Sequence, residues 1–148
     1  MLEPRGLYRT DGNHPDGVTM IPWEMGKQLV WDVTVVDAHA PSRLNQGSLC
    51  NTGTTATEAE ARKIEKYREL IDNGYIFQSV AMEVRCSLGE SSEIIITRLC
   101  KMLCRSHDDQ RAGSFLKQRI SVALQIGNAA CVLGTVSDRD AFEEIYYI

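Results

Sequence analysis

From residue 28 to residue 36 the chain alternates in a way that suits an extended backbone. Leu29, Trp31, Val33 and Val35 fall to one side and Val30, Asp32, Thr34 and Val36 to the other. The run of valines with Trp31 and Thr34 predicts a strand over 28–36. Residues 18–22 are a shorter strand candidate, and Met25-Gly26-Lys27 supplies the turn that would make the two a hairpin. Pro41, Gly47, Ser48 and Gly53 then interrupt the pattern, so residues 37–53 read as a loop. A helix is predicted over 56–73, capped by Thr54 or Thr55, with Glu58 and Glu60 favouring its N-terminal end and Gly74 closing it. Its packing stripe is Ile64, Tyr67, Leu70 and Ile71.

Residues 75–84 predict another strand. Residues 91–105 follow with a helical pattern that puts Ile95, Leu99 and Met102 or Leu103 on one face, Ile94-Ile95-Ile96 being core. The last long helix, 115–133, carries Phe115, Leu116, Ile120, Ala123, Leu124 and Ala130 at helical spacing, with Gly113 just before it and Gly127 a weak point within it. The order β-β-α-β-α-α predicts an α/β fold in which helices cover a sheet. Residues 1–17, rich in Gly, Pro, Asp and Asn, read as an irregular leader, 18–137 as the domain, and 138–148 as a tail ending in Tyr146-Tyr147-Ile148.

Composition narrows the class. A chain of 148 residues, 43% hydrophobic and 24% charged, is long enough to bury a core and too apolar to stay disordered. No apolar run approaches the length of a membrane span, and residues 1–13 lack the apolar centre of a signal peptide, so the expected setting is intracellular with no membrane partner. Five cysteines (Cys50, Cys86, Cys100, Cys104, Cys131) have no framework spacing. Cys100 and Cys104 share a helix face with only His107 near them as a further zinc ligand, so buried reduced thiols are the expectation. His14, His39 and His107 have no ligand spacing.

The candidate chemistry starts at Asp32. A carboxylate flanked by valines in a strand centre is costly unless it is paired or binds a metal. Asp16, after Pro15 at the mouth of the first strand, is the second acid. On the helix, Lys63, Lys66 and Tyr67 share a face at i, i+3 and i+4, and a lysine at the margin of the packing stripe can send its ammonium towards the two aspartates. Two carboxylates can hold Mg²⁺ or Mn²⁺ through oxygen, and a nearby ammonium can steady charge developing on a phosphate. Each element has a plainer reading: Asp16 as a turn residue before Gly17, Asp32 satisfied within the core, and Lys63 and Lys66 as a solvated face pairing with Glu60 or Glu69. Lys117, Arg119 and Arg111 are either a phosphate-contacting patch or a helix exterior, and Trp23 and Trp31 read as packing.

Three stretches in order, His14-Pro15-Asp16-Gly17, Trp31-Asp32-Val33-Thr34-Val35-Val36 and Lys63-x-x-Lys66-Tyr67, resemble the PD dipeptide, D-V-T/Q-V-V strand and K-x-x-K-Y helix of one family. That family is the restriction-like endonuclease (PD-(D/E)XK) domain of non-LTR retrotransposons, and the resemblance covers about residues 9–84. It implies a restriction-endonuclease-like three-layer core, a mixed sheet flanked by helices, acting as a metal-dependent DNA endonuclease that nicks by phosphodiester hydrolysis. It implies that Asp16, Asp32 and the Val33 backbone carbonyl bind Mg²⁺ or Mn²⁺. Thr34 stands where a standard enzyme of this kind has its lysine, and Lys63 or Lys66 would supply that amine, with Tyr67 supporting. It further implies DNA as partner, a nuclear location and membership of a larger reverse-transcriptase polyprotein. The usual opening helix has no counterpart in residues 1–13, where Glu3 is the one acid before Asp11. The net charge of −4 opposes DNA unless basic residues cluster at the site or other segments supply affinity. The alternative function is an inactive nuclease-fold domain that binds nucleic acid or protein. A third is self-association as a homodimer through the apolar later helices and the tail.

Overall fold

The computed structural model describes residues 14–38 and 52–135. The expected leader before His14, most of the expected loop with His39 and Cys50, and the C-terminal tail lie outside the described residues. The elements are β1 (Gly17–Val18), β2 (Leu29–Val36), α1 (Thr54–Lys66), α2 (Arg68–Asp72), β3 (Ile76–Glu83), α3 (Glu90–His107) and α4 (Ala112–Leu133). The chain divides into two compact units, residues 1–97 and 98–148, with the boundary inside α3. The protein is a small α/β fold with a three-stranded mixed sheet flanked by helices.

In the first unit the strand order is β1-β2-β3. β1 runs antiparallel to β2, pairing Gly17 with Trp31, and β3 runs parallel to β2 in a register from Leu29–Ile76 to Val36–Glu83. The expected hairpin turn forms at Met25 (φ 49°) and Gly26 (φ 74°), two successive left-handed residues whose twist matches the flanking chain. The first strand ends at Val18 rather than reaching residue 22. The Thr19 amide still donates to the Leu29 carbonyl (2.9 Å), but the Leu29 amide donates to the Thr19 hydroxyl (3.0 Å) in place of its carbonyl, which accepts from the Gln28 side chain (2.8 Å), and Pro22 has no N–H to continue the ladder. Gly17 is required where it stands, since a Cβ there would lie 2.2 Å from the Trp31 ring.

The expected helix over 56–73 is two helices. Tyr67 leaves helical geometry (φ −105°, ψ 19°) between them, and Gly74 (φ 90°) closes the second as expected. There the Gly74 and Tyr75 amides donate to Ile71 and Leu70, the Schellman pattern. Neither Thr54 nor Thr55 caps α1. The cap is Gly53 (φ 88°), whose amide donates to the Glu83 carboxylate at 3.1 Å, and Thr55 is fully buried.

The inner face of α1 is not the stripe of large apolar residues the sequence suggests. Ile64 and Ile71 are 39% and 41% exposed, while Ala56, Ala59, Glu60 and Tyr67 are buried. Ala56 and Ala59 cluster with Ala81 and Val36, so α1 meets the sheet through small side chains. Val30, Tyr67 and Leu70 form the second cluster, with Val18, Tyr75 and Phe77 against it. Of the polar groups on this face, Glu60 and Lys63 meet buried partners, whereas the buried Thr55 hydroxyl has no hydrogen-bond partner.

Glu60 is the clearest case. Instead of pairing with a helix lysine, it reaches the N-terminus of α3, where its carboxylate accepts from the Ser91 amide (3.0 Å), the Ser92 amide (2.8 Å) and the Ser92 hydroxyl. Unsatisfied helix-terminal amides and the positive end of the helix dipole stabilise the buried charge. The Ser92 hydroxyl also accepts from the Ala81 amide (2.7 Å), which ties the β3 edge into the same network. Further along this unit's part of α3, Ile95 and Ile96 are buried as expected, but Ile94 is 72% exposed.

In the second unit Gly113 packs on α3, a Cβ there falling 2.8 Å from Cys100 Cβ, and the Cys100 thiol donates to the Gly113 carbonyl (3.3 Å). α4 runs unbroken through Gly127, and of its expected apolar face Leu124 is buried whereas Phe115 is exposed. Cys86, Cys100 and Cys104 are half-buried and Cys131 is exposed, so the described cysteines are outside any disulfide but are not the buried thiols expected. Arg111, Lys117 and Arg119 are exposed, and Arg111 lies over the Phe115 ring at 5.9 Å.

A Cβ at residue 89 would stand 2.4 Å from the Glu60 carboxyl group. Gly89→Ala is therefore expected to destabilise the protein by about 1–3 kcal/mol by displacing a bonded carboxylate. In a Glu60→Ala background most of that loss should vanish. Urea midpoints of the four proteins in this cycle measure the coupling, and strictly additive effects would contradict it.

Candidate functional site

The alternation of β2 aims Asp32 at the face covered by α1, between Val30 and Thr34 and opposite Ser79 of β3. There it is only 4% exposed. Three parts of the chain meet its carboxylate or the backbone next to it.

From α1 comes Lys63, whose Nζ lies 2.6 Å from Asp32 Oδ2. Lys63 follows Glu60 by one turn and so continues the polar inner face of the helix rather than its margin. The contact is an ion pair without the direction of a hydrogen bond, and Oδ2, although buried, has no hydrogen-bond donor. From the break after α1 comes Tyr67. Its hydroxyl is 2.9 Å from Asp32 Oδ1 and 3.0 Å from the His14 carbonyl, so one proton serves two acceptors. The ring is fully buried and tilts against Phe77 at 4.8 Å between centroids. The departure of Tyr67 from helical geometry accompanies this reach: the side chain spans from the helix to both the strand and the segment before β1.

From that segment comes Asp16. It is exposed, and its Oδ2 accepts from the Val33 amide at 2.6 Å, one residue beyond Asp32. In a strand the N–H and C=O of a residue point to the same edge. The Val33 carbonyl therefore emerges on the edge where Asp16 sits, beyond the end of the short β1. Lys66 is exposed at the end of α1 with its Nζ 5.1 Å from the centre of the Tyr67 ring, a cation–π distance. Thr34 is half-buried on the Asp32 face, in register with Ala81.

Of the residues picked from sequence, Asp32, Lys63 and Tyr67 are in direct contact. Asp16 and Val33 are joined to each other beside them, and Lys66 touches the group through the Tyr67 ring. Two further residues belong to this description and were not picked. His14 contributes its carbonyl rather than its imidazole. Ser79 places a buried hydroxyl with no hydrogen-bond partner at the position paired with Asp32. Register between distant strands is the signal that would have found Ser79, and it is not written in either strand alone.

The donor set suits a hard cation in kind, since it offers carboxylate and carbonyl oxygens with Oδ2 lacking a donor. In number it is sparse: among the described residues no three His, Cys, Asp or Glu side chains cluster as metal ligands. No described helix is long and apolar enough to cross a membrane.

Tyr67→Phe keeps the ring packing and deletes the hydroxyl, leaving Asp32 Oδ1 and the His14 carbonyl without that donor. A loss of about 1–3 kcal/mol is expected from urea unfolding, and an unchanged midpoint would show that the bridge contributes nothing.

Comparison of the chain with protein-family models, with curated proteins and with solved structures returns no match.

Proposed function

We propose that this chain is a metal-dependent DNA endonuclease domain with a restriction-endonuclease-like three-layer core, nicking DNA by phosphodiester hydrolysis. The observation that carries the reading is the contact of Asp32 with Lys63 and Tyr67 beside the Asp16–Val33 edge, with Oδ2 of Asp32 left without a hydrogen-bond donor. The order of the Pro15-Asp16, Asp32-to-Val36 and Lys63-to-Tyr67 stretches supports it by resemblance to the retrotransposon endonucleases.

In this reading Asp16, Asp32 and the Val33 carbonyl hold Mg²⁺ or Mn²⁺. When bound, the metal polarises the phosphate and lowers the pKa of the attacking water. Tyr67 orients Asp32 through Oδ1 and ties the segment bearing Asp16 to the strand bearing Asp32. Lys63 would take the part of the strand lysine that the resemblance expects at Thr34 and steady negative charge on the phosphate, and exposed Lys66 would draw the DNA backbone towards the site. With a net charge of −4, affinity for DNA rests on such local cations and on further segments of a reverse-transcriptase polyprotein. A nuclear location belongs to the same proposal, whereas self-association as a homodimer is a separate reading.

A second reading is favoured by one observation. Lys63 already balances Asp32, and the described residues show no fuller metal cluster, so the trio also works as an internal tie in an inactive nuclease-fold domain that binds nucleic acid or protein.

Plasmid DNA separates the two. Nicking is expected with Mg²⁺ or Mn²⁺, abolished by chelation and reduced at least about 100-fold in Asp32→Ala. A folded wild-type protein that cuts nothing across a wide metal and salt screen overturns the endonuclease. Asp16→Asn tests the second acid: nicking should fall by a similar factor while the urea midpoint moves little, because Asp16 is exposed. DNA binding that ignores chelators and survives Asp16→Asn, without nicking, supports the second reading instead.

A further inference from the structure

Asp32 is buried, and its ion partner among the described residues is a lysine on a flexible stem. The two sides of the pair are unequally held. The Asp32 side chain is 6% exposed and Oδ1 is fixed by the Tyr67 hydroxyl, which fixes the orientation of the whole carboxylate. The Lys63 side chain is 25% exposed and meets Oδ2 without hydrogen-bond direction. The acid cannot leave its place, whereas the ammonium can move outward along its four-carbon stem and be rehydrated.

We propose that Lys63 is the resident counter-cation of Asp32, holding the position at Oδ2 that a divalent ion takes only by displacing it. The inference rests on the metal-dependent reading above and adds how the site is guarded. An ammonium and a divalent cation repel each other strongly within contact distance of one poorly solvated oxygen, so occupancy is exclusive. With Lys63 at Oδ2 the buried carboxylate is charge-balanced by the chain itself. The displaced amine remains tethered one side chain's length away, where a phosphate bound at the metal would meet it. Binding of the ion and release of the amine thus become one event, and the lysine changes role from placeholder to phosphate contact.

Two measurements that do not depend on cleavage test this. In the first, folded wild-type protein is acetylated with trace acetic anhydride and lysine modification is read by mass spectrometry, with and without saturating Mg²⁺. Lys63 labelling should rise several-fold on adding Mg²⁺, while Lys27 and Lys101, both exposed, stay level. In the second, free Mn²⁺ is followed by electron paramagnetic resonance during titration of wild type, Lys63→Met, Lys63→Arg and Lys66→Met. Lys63→Met should bind Mn²⁺ roughly tenfold tighter than wild type, with Lys63→Arg and Lys66→Met within about threefold of it. Lys66→Met controls for general loss of positive charge, and the labelling result decides if Lys63→Met does not fold. Mn²⁺ binding with flat Lys63 labelling, or equal tightening by both methionine variants, overturns the displacement and leaves the metal site standing. If neither wild type nor Lys63→Met binds Mn²⁺, the metal-dependent reading itself falls.

Discussion

A carboxylate in the middle of a buried strand face is the constraint around which this unit is built. Asp32 cannot be hydrated where it lies, and leaving it unpaired would cost more than a small domain can spare. Lys63 supplies charge and Tyr67 supplies a proton, and each demand has altered the element that meets it. α1 carries polar residues along its inner face and leaves Ile64 partly in solvent, and its helical path breaks at Tyr67. The Tyr67 hydroxyl then binds the His14 carbonyl as well, so the segment entering β1 is held by the same group that holds Asp32.

A second buried carboxylate on the same unit has a different fate. Glu60 meets the amides of a helix N-terminus and a hydroxyl, a set of directed donors that leaves little for a ligand to replace. Asp32 has one directed donor and one undirected cation. Burial is common to both, but only Asp32 keeps an oxygen whose partner can be exchanged. That difference separates a structural tie from a candidate site more sharply than either residue's exposure does. It also fits their positions: Glu60 joins α1 to α3 and the β3 edge, while Asp32 sits beside the strand edge where Asp16 and the Val33 carbonyl emerge.

The acid content of the chain sets the terms of any reaction with DNA. With Asp and Glu outnumbering Lys and Arg 20 to 16, the long-range field is unfavourable to DNA, so any attraction would need cations local to the site or further segments. Lys63 and Lys66 lie at the candidate site, one at the carboxylate and one at the ring beside it. The exposed basic residues of α4, Arg111, Lys117 and Arg119, lie in the other unit.

Much of this was legible in the residues alone. Alternation over 28–36 specified β2 and the face of Asp32, because a strand has period two and valines tolerate little else. The turn at Met25-Gly26 and the closure at Gly74 were legible because left-handed backbone selects glycine locally. The i, i+3, i+4 spacing of Lys63, Lys66 and Tyr67 placed them on one helical face by geometry alone. Which of them would turn inward was not legible: the stripe of large apolar residues points to Ile64, and only the sheet's buried acid and its small alanines explain why the helix rotates to present Glu60 and Lys63. The partners of Glu60, the position of Ser79 opposite Asp32 and the reach of Tyr67 to His14 join residues 31 to 53 positions apart. Such pairings are chosen by packing and charge balance across elements, and no local pattern in either partner encodes them.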